Sequence, residues 1–499
     1  MGKITLIVVL FLGVPSSIFF FLNDALATQE RAWSDEVLKE YSSAVQQKFT
    51  LTFVCYSPEV NKDDFSPVCN PYRNTKHLRA IALGTAAVPV LYSVVLIILS
   101  FACRADRRLL LQIFRPGIWI SNLLVATLLL LQWLLISGVM YGYSFGRPTA
   151  DDCFWIVLLG LVAVVGAFFI MKPLLKGVPR AKTTVIGLQL KQENYPTIWN
   201  FVRGLAAQAG ARPPDHLVVG FTPNFFVTEA TVTCISGTLD GATMYLSLPI
   251  CRILSTSELS AVVLHELAHF KGEDASFSIG FYPIYRGVSE SLYGVANASA
   301  RIANIGSYIP ITQCRIIFLI ASLFLLPSVY LLRFFFDSFS RAENQIGRDR
   351  ELAADALAAQ LEGPNSIANA LVKLAAFSSI WDELMEWAKK AQSDGIVKLG
   401  ESHYEPNQFF FNMSSLFCAM VQDNANPDRL QGLDLIKTSH PTDTHPPLSV
   451  RLAALQTSLA DTAQSALVVE IDNPSSNLIE DVDDLEINLS EFQRTLATA

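Results

Sequence analysis

His265-Glu266-Leu267-Ala268-His269 is the group of residues in this chain with the clearest chemical meaning. On a helix, imidazoles four residues apart share one face, so both can ligate a single metal ion. The carboxylate between them then lies beside the position of a metal-bound water. The pattern points to zinc-dependent hydrolysis of peptide bonds. With only seven histidines in 499 residues, this spacing is not expected by chance. The plainer alternative is an amphipathic helix whose His and Glu are ordinary polar-face residues. A zinc site of this kind needs a third protein ligand and keeps a fourth position open. Glu351, in Arg350-Glu351-Leu352-Ala353-Ala354-Asp355, is the best candidate, one helical turn from Asp355. Glu351 would bind the ion, while Asp355 would accept a hydrogen bond from a ligand imidazole and fix its tautomer. A solvated acidic face on an alanine-rich helix is the alternative here.

These residues need helices to hold them. Ser255-Thr256-Ser257-Glu258 fits a capping box, followed by Leu259, Ala261, Val262, Val263 and Leu264, with Gly272 as a stop signal. Ala353, Ala354, Ala356, Leu357, Ala358 and Ala359 predict a second helix around Glu351. Upstream, Tyr195–Ala207 has helical patterning, and the runs Leu217–Val219, Thr231–Ile235 and Thr243–Leu248 predict a small sheet. Such a sheet suits a peptidase whose edge strand pairs with an extended substrate. The region from Ser366 to Asn424 has mostly helical patterning, with Trp381, Trp387 and Phe409–Phe411 as core aromatics.

As a pair and in this order, the two motifs resemble those of the HtpX-type membrane metallopeptidases and their relatives, the prenyl-CAAX endopeptidases. Thr444-His445-Pro446-Pro447-Leu448-Ser449-Val450-Arg451 is similar to the family's C-terminal His-Pro segment. Asn224, in Val218-Val219-Gly220-Phe221-Thr222-Pro223-Asn224-Phe225, is similar to the family's asparagine on the strand beside the cleft, although bulky Phe225 and Phe226 follow it. The resemblance runs over roughly residues 180 to 455. It implies a zincin-like peptidase domain holding one zinc ion per chain through His265, His269 and Glu351, with Glu266 as general base. It further implies His445 and Arg451 near the developing oxyanion or the substrate backbone, and Asn224 as a substrate-binding residue. For Arg451 an ion pair with an acid on a helix is the alternative, and for Pro446-Pro447 a rigid turn.

The composition, 51% hydrophobic and 16% charged, is that of a membrane protein. Ile4–Leu22, Ala80–Cys103, Ile118–Tyr141 and Cys153–Met171 are each long enough to span a bilayer. Arg104, Arg107, Arg108 and Arg115 place the loop after the second stretch in the cytosol. Arg147 with Asp151 and Asp152 places the next loop outside, and Lys172, Lys176, Arg180 and Lys182 return the chain to the cytosol. Ala25-Leu26-Ala27 resembles a signal-peptidase site, so the first stretch is an anchor or a cleaved signal. Cys55 and Cys69 fall in the external segment and can pair there.

A fifth apolar stretch, Ile316–Leu332, lies between the two motifs. One crossing there would put Glu351 across the bilayer from His265, so the number of crossings must be even. The stretch therefore re-enters or pairs with the segment Ser276–Ala298. The expected organisation is 1–22, anchor or signal; 23–79, extracytoplasmic loop; 80–171, three spans. Residues 172–455 follow as the peptidase domain with an apolar insertion around 276–336, and 456–499 as an acidic tail. The tail carries Leu478, Val482, Leu485, Leu489 and Phe492 at helical spacing, yet its acidity favours a solvated, partly disordered segment over a docked helix.

The predicted fold class is mainly α with a small β-sheet, multi-span membrane helices and a cytosolic peptidase domain. The expected partners are a protein or peptide substrate and the lipid bilayer. A net charge of −8 argues against nucleic acid. The expected function is integral-membrane zinc endopeptidase, in protein quality control. The alternatives are a membrane metallopeptidase that relays an external signal and a non-catalytic membrane scaffold.

Overall fold

The structure, a computed structural model, describes residues 2–40, 49–57, 65–103, 106–143, 149–175, 182–271, 274–308, 325–394, 397–399, 402–404, 412–433, 446–470 and 472–498. It is mainly helical with small sheets, as the patterning predicts, and divides into two compact units. The first comprises Met1–Val178 and Pro283–Ala342, the second Pro179–Tyr282 and Glu343–Ala499.

The first unit opens with helices α1 (Gly2–Glu40) and α2 (Leu51–Tyr56). Helices α3 (Ser66–Ala102), α4 (Arg107–Tyr143) and α5 (Ala150–Leu175) follow. Among the described residues, three helices within these last ranges are long and apolar enough to cross a membrane. Their outward faces carry Leu91, Ile98, Leu123, Val157 and Phe168, all exposed. Apolar residues in water would be a liability there, whereas lipid accepts them. The expected external loop 23–79 is instead largely helical, because α1 continues past Leu22 and α3 begins well before Ala80. A disulfide joins Cys55 to Cys69, and Leu26, Leu51, Val54 and Tyr72 pack with it into a small core.

Parts of two long helices belong to the same unit, α9 (Asp274–Tyr308) and α10 (Leu326–Glu362). Val295, Ala298, Leu325, Leu331 and Leu332 share one apolar cluster with Val125, Leu128, Leu129, Val162, Ala163 and Ile170. Asn122 Nδ2 donates to Ser291 Oγ at 3.2 Å, and Ser291 Oγ donates to Ile170 O at 3.2 Å. Both flanks of the insertion thus pack on the apolar helices, while most of the stretch expected to re-enter or to pair with Ser276–Ala298 lies outside the described residues. Residues 309–324 lie outside the described residues.

The second unit holds a four-stranded sheet in the order β2-β3-β7-β4. Its strands are β2 (Gly187–Leu190), β3 (His216–Gly220), β7 (Thr243–Ser247) and the edge strand β4 (Phe226–Thr228). A second sheet pairs β1 (Lys182–Thr184), β5 (Thr231–Cys234) and β6 (Gly237–Leu239). The central strands are buried on both faces, and their side chains alternate. Leu217, Val219, Met244 and Leu246 join the helical core, while Val218 and Tyr245 meet Val232 and Leu239 of the second sheet. The helical core is built from α6 (Pro196–Ala209), α7 (Leu248–Cys251), α8 (Thr256–Lys271), α11 (Pro364–Asp394), α12 (Met413–Asp423), α13 (Leu448–Ala454) and α14 (Leu459–Ala466). Helix α15 (Val482–Thr498) joins them. Trp381 and Trp387 are buried in this core. A short hairpin, Val397–Leu399 with Ser402–Tyr404, interrupts the region expected to be mostly helical.

The acidic C-terminus departs from expectation. It is folded onto the second unit, with Ile479, Leu485 and Leu489 in the core and Leu478 and Val482 against it. Composition overstated its solubility because one of its carboxylates, Glu486, is wholly buried against Arg252 and Ser414.

At Gly220 a Cβ would collide with the Ile186 carbonyl and the Tyr245 hydroxyl, whereas at Gly204, inside α6, it would meet nothing within 4 Å. Gly220→Ala should therefore destabilise the protein by about 1–3 kcal/mol through overpacking. Gly204→Ala should stabilise it by about 0.5–1 kcal/mol. Denaturant titration of the two purified variants checks the opposite signs.

Candidate metal centre

Helix α8 is apolar almost all round, so it runs through the core of the second unit. Its first turn carries the predicted capping box. Ser255 N donates to Glu258 Oε2 at 2.8 Å, and Glu258 N donates to Ser255 Oγ at 3.3 Å. Gly272 lies outside the described residues. Helix α10 brings Glu351 and Asp355 to α8 from the far side of the insertion.

Three donors converge. His265 Nε2 lies 3.3 Å from His269 Nε2 and 3.6 Å from Glu351 Oε2, and His269 Nε2 lies 3.3 Å from Glu351 Oε1. Donors about 2.0–2.1 Å from a tetrahedral ion stand about 3.3 Å apart, so the set has the dimensions of a metal cage. Two imidazole nitrogens and a carboxylate facing one point also need a positive charge between them. Two nitrogens and one oxygen suit a borderline cation. Among the described residues, this trio is the group of His, Cys, Asp and Glu side chains with ligand atoms close enough to hold an ion.

Asp355 stands behind the ligands. Its Oδ1 lies 2.9 Å from His265 Nδ1, the ring nitrogen opposite the Nε2 that faces the metal position. Arg451, on α13, donates to both Asp355 oxygens at 2.6 and 2.7 Å and lies 3.9 Å from Glu351 Oε2. Burial would raise the Asp355 carboxyl, but Arg451 and His265 outweigh it and hold the group below the usual carboxylate range. Burial likewise disfavours the His265 imidazolium, and Asp355 and Glu351 overcome that and raise its pKa. Arg451 thus pairs with a helical acid. Glu266 is half-buried on the same helix and interacts electrostatically with Arg451. Asn224 is exposed just before edge strand β4, its Oδ1 accepting from Phe225 N at 3.0 Å. Strand β4 packs against α8. His445 lies outside the described residues, and Pro446-Pro447 leads into α13.

Sequence reasoning passed over one supporting residue. Lys373 is buried on α11, and its Nζ donates to Glu258 Oε2 at 2.7 Å and to Ile253 O at 3.2 Å. A single lysine inside the apolar run Ile367–Phe377 was the available signal.

The architecture is that of a helical membrane protein with a candidate metal centre built on His265-Glu266-Leu267-Ala268-His269. The chain belongs to peptidase family M48, whose sequence profile matches residues 202–459. It is similar to a protease HtpX homolog of Syntrophobacter fumaroxidans, 27% identical over 263 residues, covering 51% of this chain and 79% of that protein. Protease HtpX homolog 1 of Saccharolobus solfataricus is 26% identical over 185 residues, 36% of this chain and 54% of its own length. A protease HtpX homolog of Dictyoglomus turgidum is 30% identical over 198 residues, 37% of this chain and 55% of its own length. The chain thus spans about half the length of two of these relatives. No solved structure matches.

Asp355→Asn should weaken metal binding by about 10–100-fold, because His265 loses the carboxylate charge beside its Nδ1 and meets an amide that can present a donor instead. It should also lower stability by about 3–5 kcal/mol by stranding Arg451. A carboxyl whose folded pKa is depressed stabilises only while ionised. The stability difference between wild type and variant should therefore hold above about pH 3.9 and shrink as the pH falls through the lower folded value. Metal titration and melting curves at a series of pH values check both.

Proposed function

We propose that the chain is an integral-membrane zinc endopeptidase that hydrolyses peptide bonds of membrane or membrane-proximal proteins. The observation that carries this reading is the trio His265, His269 and Glu351 at tetrahedral edge distances, with half-buried Glu266 on the same helix. The names of the relatives, protease HtpX homologs, agree with it. Zinc fits the donor set, and His265, His269 and Glu351 would hold it. Bound there, it would polarise the scissile carbonyl and lower the pKa of an attacking water toward ~7.

The remaining work falls to the chain. Glu266 takes a proton from the attacking water and delivers it to the leaving amide nitrogen. Asp355 holds His265 in the tautomer that presents Nε2, and Arg451 holds Asp355. The outer side of edge strand β4 receives an extended substrate through main-chain hydrogen bonds, and Asn224 at its start binds the substrate backbone. His445 donates to the developing oxyanion, the role its His-Pro segment implies. The Arg and Lys distribution argues for a site on the cytosolic face of a multi-pass protein. A peptidase tethered to the bilayer by its own chain meets membrane-proximal proteins first, the setting of protein quality control.

Glu266→Gln in detergent-purified protein should retain one zinc per chain and lose casein cleavage by at least about 100-fold. Equal cleavage by both proteins would overturn the mechanism. Cysteines introduced one at a time at Asp274 and Arg341 should both label from the cytosolic face. Labelling from opposite faces would be incompatible with Glu351 sharing a metal with His265.

A further inference from the structure

The turn Cys251–Leu254 joins α7 to the first turn of α8 and is itself buried. Its main chain is held from outside. Ser475 Oγ donates to Cys251 O at 2.9 Å and Ser475 N to Leu254 O at 2.8 Å. Within the same turn, Arg252 enters a cluster around Glu486 of α15. The Glu486 carboxylate accepts from Arg252 Nε at 3.1 Å and from Arg252 Nη2, from Ser414 N and Oγ at 2.5 Å each, and from Ser415 N at 3.3 Å. Asp483 Oδ1 adds a contact to Arg252 Nη2 at 2.8 Å, and Glu480 Oε1 accepts from Thr197 N at 2.6 Å. Leu485 and Leu489 bury the apolar face of the same helix.

A wholly buried carboxylate is tolerated only where donors replace its hydration, and here five do so. This is a built socket for one acidic side chain, and it fixes the register of the segment on the peptidase unit. The segment also lies beyond residue 459, where the match to the family ends. The family's matched region supplies the socket's Arg252, Ser414 and Ser415, and a segment beyond that match fills it.

We propose that residues 475–498 are a positioning element for the metal-binding helix, docked through Glu486 and Ser475 and separable from the rest of the chain. Its removal leaves Cys251 O and Leu254 O without their partners in a buried turn, and the start of α8 loosens. Helix α8 carries that displacement to His265 and Glu266, where misplacement by about 1 Å can cost about 100-fold in rate. The consequence for cleavage rests on the peptidase reading above, but the docking itself does not.

The test uses the full-length protein with a site for a specific protease inserted after exposed Val468. It is made with wild-type Glu486 and with Glu486→Lys. Cutting should release the tail from the Glu486→Lys protein. Amide hydrogen exchange over residues 251–258 should then rise by roughly tenfold, and an added peptide of residues 472–498 with Glu486 should reverse the rise. Casein cleavage should fall and recover in parallel, with zinc content unchanged. Two results would overturn the proposal: a tail that stays bound despite Glu486→Lys, or a released tail with no change in exchange. If the uncut wild-type chain neither binds zinc nor cleaves casein, the peptidase reading fails, and the exchange result still decides the docking.

Discussion

One buried carboxylate, Asp355, ties the site together. It lies between the imidazole of His265 and the guanidinium of Arg451, and so joins α8, α10 and α13 at a single point. Desolvating a carboxylate is costly, and only well-aligned donors on both oxygens offset that cost. Here Arg451 contacts both oxygens and His265 one of them. Arg451 neutralises Asp355 while the same carboxylate stands 2.9 Å from His265 Nδ1, so one buried charge serves both the core and the candidate metal centre. Arg451 also lies 3.9 Å from Glu351 Oε2, so it faces the candidate metal centre as well as Asp355.

A second constraint is topological. Between His269 and Glu351 the chain leaves the second unit at Tyr282 and returns at Glu343, and the intervening residues belong to the first. Metal donors within hydrogen-bonding distance of one another cannot stand on opposite faces of a bilayer. A metal held by this trio requires the insertion to enter and leave on the same side. Helices α9 and α10 share their packing against α4 and α5, and each flank buries its apolar residues on helices already suited to lipid. Ser291 satisfies its hydroxyl on the Ile170 carbonyl, as a polar group in such surroundings must.

The start of α8 illustrates how much outside help one helix can need. Ser255 and Glu258 cap it locally, as their spacing predicts, but Lys373 from α11 neutralises Glu258 and binds Ile253 O. Ser475 and Glu486 from the C-terminus hold the preceding turn. Acidic composition suggested a solvated tail because composition counts charges without their partners. Arg252 and Ser414 are distant in sequence from Glu486, and nothing in the local pattern announces them.

The sequence by itself determined the candidate metal-binding residues and the class of fold. The His265–His269 spacing, the Glu351–Asp355 turn, the capping box and the long apolar runs are all local patterns, and local patterns follow from helix geometry. The same patterning foretold apolar helices long enough to cross a membrane and a small sheet. Tertiary structure alone decided which partner each charge received. Arg451 binds Asp355, Lys373 binds Glu258 and Glu486 binds Arg252, across separations of about a hundred residues or more. It also decided that the acidic C-terminus docks, that α1 continues well past its apolar stretch, and that a hairpin interrupts the helical region after α11. The physical reason is common to these cases. A buried charge is stable only against its partner, and that partner is chosen by packing, which local periodicity does not encode.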